Sequence, residues 1–181
     1  MARTTARIFD EYLVISARAG DPKAFALLAR RWEKKLIAHA WRVSGDADAA
    51  HDAAQFGWIE ITRGLNGLQD ERAFPAWAYR IVSRICARQI KDAVRRRRLS
   101  EEIAAQPEGE TREVGSRHDC NVLRAAIRAL PTCQRAAIAL FHFEELSVAE
   151  VAVALDVPVG TVKTRLMHAR RKLRAALEGD E

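Results

Sequence analysis

The sequence predicts an all-α protein: two small helical domains joined by a flexible acidic linker, the C-terminal one built around a helix-turn-helix. Three observations lead there. No stretch alternates apolar and polar residues with period two over the length of a strand, while apolar residues recur at spacings of three and four along most of the 181 residues. Residues 99–119 carry six acidic side chains against two basic ones, with Pro107, Gly109, Gly115 and almost no large apolar group, which is the composition of a tether. Residues 147–177, SVAEVAVALDVPVGTVKTRLMHARRKLRAAL, read as a short helix, a tight turn and a longer basic helix. The chain thus divides into a lead (1–20), an N-terminal domain (21–98), the linker (99–119) and a C-terminal domain (120–181).

The lead is expected to be partly helical over 8–15. Asp21-Pro22 then starts a helix, with Asp as N-cap and Pro at the first position, and Phe25, Leu28, Trp32, Leu36 and Ala40 mark its apolar face. It ends near Ser44-Gly45. Asp46 opens a second helix that runs to about Gly64, and 66–72 is a polar loop. A third long helix spans about 74–97, with Phe74, Ala78, Ile81, Val82 and Ile85 on its apolar side. Beyond the linker Val122, Ala126 and Ile127 restore a helical pattern, Leu130-Pro131 breaks it, and a helix follows over about 131–143. Ser147 and Glu150 form an S-x-x-E capping box, with Val148, Val151, Ala152 and Leu155 as the face behind it. Asp156-Val157-Pro158 is the turn, since Pro ends one helix and suits the start of the next. In the last helix Val159, Val162, Leu166, Ala169, Leu173 and Leu177 form the stripe expected to be buried.

Hydrophobic residues make up 49%, but many are alanine, so each domain core is thin. Net charge is +6 and the isoelectric point about 9.6, which favours a polyanionic partner. There is no signal peptide and no apolar run long enough to span a bilayer, so a cytoplasmic protein without membrane contact is expected. Cys86, Cys120 and Cys133 are widely spaced, and His118 beside Cys120 is too little for a metal site, so neither zinc nor a disulfide framework is expected. No Ser-His-Asp set, Gly-rich phosphate loop or catalytic carboxylate pair stands out. The chain reads as no enzyme, with no cofactor and no small-molecule substrate.

Two basic surfaces remain. Residues 158–177 hold six basic residues and no acid, and Gly160, Thr164, Met167, His168 and Arg171 point away from the apolar stripe, flanked by Thr161, Lys163, Arg165 and Arg170. A helix so faced suits phosphate and base-edge contacts in a major groove. On the third helix Trp77, Arg80, Arg84, Arg88, Lys91 and Arg95 follow one another at steps of three and four, and 80–98 holds eight basic residues against Asp92 alone. An aromatic at the head of an arginine stripe suits single-stranded nucleic acid, with bases stacked and phosphates following the charge; Trp77 fits the core equally well. The second helix instead groups Asp48, Asp52, Gln55 and Ile59, which fits either a basic protein partner or Asp residues favoured at a helix N-terminus.

As a set, DPKAFALLARRW, SGDADAAHDAAQFGWIEI, FPAWAYRIVSRICARQIKDAVRRRR and LPTCQRAAIALFHFEELSVAEVAVALDVPVGTVKTRLMHARRKLR resemble the extracytoplasmic function (ECF) class of the sigma-70 family of RNA polymerase sigma factors, over 21–177 and in the family's order. The resemblance implies an alternative sigma factor that binds core RNA polymerase and directs promoter-specific initiation. Region 2, here 21–98, would capture the melted minus-10 element through Trp77, Arg80, Arg84, Arg88, Lys91 and Arg95, and dock on polymerase through Asp48, Asp52 and Gln55. Region 4, here 120–181, would read the duplex minus-35 element through Lys163, Thr164, Met167 and His168. Thr161, Arg165, Arg170 and Arg171 would lie on the DNA around them. The family also implies an anti-sigma factor as partner, and a linker that threads toward the RNA exit path. The chain departs from the family pattern at Phe56 and Gly57, after the Gln of the polymerase-binding motif, at Arg84, where Asn is frequent, and at His168, where Arg is common. The readings set against this one are a stand-alone helix-turn-helix regulator, which predicts a symmetric dimer, and a sigma-like decoy for an anti-sigma factor.

Overall fold

The computed structural model describes residues 5–101 and 118–178, and every regular element among them is helical. The N-terminal half comprises α1 (Thr5–Arg18), α2 (Pro22–Ser44), α3 (Ala47–Gly64) and α4 (Phe74–Glu101). The C-terminal half comprises α5 (His118–Ala129), α6 (Thr132–Ile138), α7 (Val148–Leu155) and α8 (Val159–Glu178). Most of the expected linker lies outside the described residues, but both its ends are helical, since α4 runs on to Glu101 and α5 begins at His118.

The local signals act where the sequence puts them. The Asp21 carboxylate accepts the Lys23 N–H at 2.8 Å, with Pro22 opening α2. Gly45 closes that helix at φ 78°, in the left-handed region, and its N–H donates to the Trp41 carbonyl at 2.7 Å. Asp46 caps α3 through the Ala49 N–H at 2.8 Å. In α7 the Ser147 N–H donates to Glu150 at 2.7 Å and the Glu150 N–H to the Ser147 hydroxyl at 3.3 Å, closing the capping box. Asp156 terminates α7 at φ 54°, a left-handed conformation that an acidic side chain tolerates.

The core of the N-terminal half is the apolar face expected for α2 and α4, with Leu28, Leu36, Phe74 and Val82 fully buried, joined by Tyr79, which the spacing did not mark. Trp32 stands edge-on to Phe74, ring centroids 5.1 Å apart. Residues 5–18 are more than a lead. Leu13 and Val14 of α1 enter the core, and buried Asp10 accepts a hydrogen bond from Arg31 Nε at 2.8 Å.

Gly57 has a packing reason that outweighs its cost to helix α3. A Cβ there would lie 2.8 Å from Val82 Cγ2 on α4, so the two helices meet as closely as they do because no side chain intervenes. Gly57→Ala gains about 1 kcal/mol of helix propensity but overpacks a fully buried contact, a cost of about 1–3 kcal/mol. The expected result is a lower Tm, and in a double-mutant cycle Val82→Ala costs less beside Gly57→Ala than alone.

His39 sits fully buried between α2 and α4, its Nε2 2.8 Å from Ser83 Oγ and its ring against Tyr79. Burial, aided by the positive charge of Arg42, lowers its pKa from 6.5 to about 3. The folded chain therefore holds His39 neutral while the unfolded chain takes up a proton as pH falls through 6.5, and stability drops by about 1.4 kcal/mol per pH unit below that point. In chemical denaturation between pH about 6.5 and about 5, His39→Leu should be less pH-dependent than the natural protein by that slope, keeping the contribution of His142, whose pKa burial and Arg170 also lower.

In the C-terminal half Val162, Leu166 and Ala169 hold α8 against its neighbours, with Leu173 half-buried. Val159 and Leu177, expected in the same stripe, are 43% and 44% exposed because they lie at the two ends of α8, past the span the shorter helices cover. The single helix expected over 131–143 is α6 followed by one wide π turn, Ala139–Phe143, where the Glu144 N–H donates to the Ala139 carbonyl.

The two helical halves also pack against each other. Helix α7 lies on α4 and α6 lies on α2, and the buried residues of both halves form one connected cluster. Ala154, outside the apolar face expected for α7, is buried for this reason: it faces the same cleft as Arg80 and Ser83 of α4.

Candidate nucleic-acid interface

Because Ala78, Ile81, Val82 and Ile85 turn inward, α4 presents Arg80, Arg84, Arg88, Lys91 and Arg95 to the outside, all exposed and on one stripe. Trp77 is placed differently. Its ring is half-buried, packs against Phe74, and closes on Gly64, where a Cβ would meet it at 2.9 Å. Of the two roles the sequence left open for Trp77, this packing is the core one. Two arginines of the stripe are engaged: Arg84 with Glu60 of α3 at 2.5 Å and Arg80 with Asp156, after α7, at 2.8 Å.

On α8, Lys163, Thr164, Met167, Arg170 and Arg171 are exposed together, Met167 by 58%. The Thr164 hydroxyl turns back to the Gly160 carbonyl at 3.0 Å. Arg171 reaches Nδ1 of half-buried His168 at 3.3 Å, and Arg170 lies over the Phe141 ring, 5.4 Å from its centre. Thr161 and Arg165 are half-buried one turn apart on another side of the helix. Arg165 faces α4 across a cleft of about 500 Å³ that Arg80, Arg84 and Lys91 also line. Of the eight candidate residues of this helix, Arg165 alone lines the cleft, Thr161 is half-buried one turn before it, and the other six lie on the outer side.

On α3, Asp48, Asp52 and Gln55 are exposed along one face, and beside them stand Phe56, 56% exposed, and Ile59, 47% exposed. Sequence reasoning flagged Phe56 only as a departure, although an apolar ring among acids on an outward face is itself the mark of a contact surface.

Nothing in these surfaces points to bond-making chemistry. The Cys86 thiol is buried and pushed up to about 12 by that burial, and Cys133 is a free, exposed thiol. Among the described residues no three His, Cys, Asp or Glu side chains converge as a metal site, and no helix is long and apolar enough to cross a membrane. The side chains of His118 and Cys120 lie outside the described set.

Two family models match in series, sigma-70 region 2 over residues 28–99 and sigma-70 region 4 over residues 120–173. The RNA polymerase sigma-H factor of Pseudomonas aeruginosa is 30% identical over 181 residues, covering 93% of this chain and 94% of that one. The chain belongs to the ECF class of the sigma-70 family. The ECF RNA polymerase sigma-E factor of Escherichia coli K12 is 29% identical over 179 residues, covering 92% of this chain and 93% of its own length. Among solved structures, the sigma factor RpoE of Bartonella quintana, in complex with the anti-sigma factor NepR, shares the fold at a TM-score of 0.69 with 22% identity, covering 88% of this chain and 99% of that one. CnrH, in complex with the cytosolic domain of CnrY, does so at 0.70 with 24% identity, covering 96% and 99%. The protein is an alternative sigma factor, acting in transcription initiation, and not an enzyme.

Proposed function

We propose that this sigma factor divides its work between three surfaces. The α3 face of Asp48, Asp52 and Gln55, with Phe56 as an apolar centre, docks on core RNA polymerase. The α4 stripe of Arg80, Arg84, Arg88, Lys91 and Arg95 takes the melted minus-10 strand. The outer face of α8 enters the major groove at minus-35, where Lys163, Thr164, Met167 and His168 face base edges and Arg170 and Arg171 face phosphates. Thr161 and Arg165 reach the backbone once the cleft beside α4 is open. Region 2 within 21–98 and region 4 within 120–181 are the units that carry these surfaces, and the site of action is the cytoplasm. An anti-sigma factor, the partner in the structure of the Bartonella quintana sigma factor, is the expected regulator.

The observation that carries this reading is the acid-free outer face of α8, held out from the core by Val162, Leu166 and Ala169 and displaying Lys163, Thr164, Met167 and Arg171 side by side. His168 and Arg84 keep base preference open to this chain's own chemistry: an imidazole tied to Arg171 cannot offer the two-pronged guanine contact of an arginine. Each module alone offers a small interface, and polymerase, by holding both, makes the second contact effectively intramolecular.

Run-off transcription on a genomic promoter pool, with core polymerase from the source organism, tests the reading. Discrete starts should appear only when the protein is added, and free protein should bind the same promoters weakly. A footprint on promoter duplex at nanomolar protein without polymerase, or a symmetric dimer on palindromic sites, would instead establish a stand-alone regulator.

A further inference from the structure

The cleft beside α4 is short of negative charge. Arg80, Arg84 and Lys91 of α4 and Arg165 of α8 line one space of about 500 Å³. Of the described residues that line it, Asp156 is the one acid, and Arg80 already holds it at 2.8 Å. Arg84 finds its counter-charge in Glu60 of α3, which does not line the cleft. Lys91 and Arg165 have no acidic partner among the described residues. Arg165 is half-buried, so its guanidinium has lost part of its water while facing the like charges of α4. An anion seated between these groups removes that repulsion and completes their hydrogen bonding.

The arrangement says what kind of anion. The α4 cations are not gathered at a point: Lys91 lies ~16 Å along the helix from Arg80, with Arg84 between them. Charges spread in this way suit a ligand that carries several anionic groups in a row. Three of the four are guanidinium groups, whose planar fork matches the oxygens of a phosphate two at a time. Much of the remaining wall is apolar, with Ala87 and Ile90 from α4, Ala136 from α6 and Leu155 from α7. A bare phosphate chain would leave that wall facing water, whereas a ligand with a flat ring beside its phosphates covers it. The volume is that of sites which enclose small organic ligands, ~300–1,000 Å³.

We infer that this cleft binds a nucleoside polyphosphate, its phosphates paired with the arginines and its base laid against the apolar wall. The site needs the cleft alone, so it stands or falls independently of the assignment of α4 to the minus-10 strand. The cleft also contains its own reporter. Cys133 is exposed and lines it, while Cys86 is fully buried, so a bound nucleotide should shield Cys133 from a thiol reagent.

The test uses the full chain carrying Cys120→Ser, which leaves Cys133 as the thiol that N-ethylmaleimide reaches. Calorimetric titration with ATP in metal-free buffer should show one-to-one binding. At a nucleotide concentration about ten times Kd, alkylation of Cys133 should slow about ten-fold. Inorganic triphosphate should bind about ten-fold more weakly than ATP, and adenosine not measurably, because each carries part of the recognised surface. Arg165→Gln should weaken ATP binding about ten-fold, the loss of one charge-assisted hydrogen bond. Ala87 is exposed, so Ala87→Glu adds a carboxylate beside the arginines without disturbing the core, and it should abolish binding at an unchanged Tm. Ala87→Gln adds the same bulk without the charge and should bind ATP as the natural residue does. No binding at millimolar ATP would overturn the inference. So would binding that leaves Cys133 unprotected or survives Ala87→Glu, since the nucleotide would then sit elsewhere on the basic surface. Triphosphate that binds as tightly as ATP would overturn the nucleoside as the ligand.

Discussion

Lys163→Glu should lower promoter-specific run-off transcription about 30-fold while leaving core polymerase binding and Tm unchanged. Lys163 is exposed on the outer face of α8, in the turn that also carries Thr164 and Met167, and among the described residues it forms no ion pair. Removing a base-edge or phosphate contact in the major groove costs about 1–3 kcal/mol, and a carboxylate aimed at the same phosphates adds repulsion. Lys163→Gln should fall between the two, because it removes the charge and keeps a polar head. A uniform loss across unrelated promoters would mark Lys163 as a phosphate contact; a loss confined to some of them would mark it as a base reader.

Asp52→Arg should weaken binding to core RNA polymerase about 100-fold and abolish run-off transcripts, with the helical fold intact. Asp52 is fully on the surface of α3, between Asp48 and Gln55 and one turn from Phe56. Reversing a charge at the centre of a complementary interface sets like charges together, at a cost of several kcal/mol. Phe56→Ala separates charge from packing. An exposed aromatic at an interface centre is a typical anchor, and its loss should weaken core binding by about 2 kcal/mol without changing the salt dependence, whereas Asp52→Arg changes both. Size-exclusion of labelled protein with core enzyme at two salt concentrations reads the difference.

The parts of this structure that sequence reveals are those set by neighbours in the chain. The caps at Asp21, Asp46 and Ser147, the αL stop at Gly45 and the turn at Asp156 depend on side chains two to four residues away. The exposed stripe of α4 and the outer face of α8 follow from helical periodicity alone. Periodicity says which face of a helix is covered, but not by what. Ala154 is buried by α4 and Arg165 is drawn toward it, and neither is visible in the spacing of α7 or α8. The pairs that close the molecule, Arg42 with Glu144 and Arg7 with Glu150, are 102 and 143 residues apart. The π turn at Ala139–Phe143, which sets the direction of Phe143 and Glu144, has no residue signature of its own. The place of Gly57 is set in the same way, by Val82 on another helix.

The division of labour between α4 and α8 is tested most directly by photo-crosslinking within the promoter complex. A crosslinker placed at Arg88 and, separately, at Met167 of the full chain, assembled with core polymerase on a promoter found by run-off, should mark two different DNA segments. Met167 should attach to paired bases of the minus-35 element, and Arg88 to the unpaired strand at minus-10. Attachment of both positions to the same duplex segment, or of Arg88 to no unpaired strand in a complex that initiates transcription, would contradict the account.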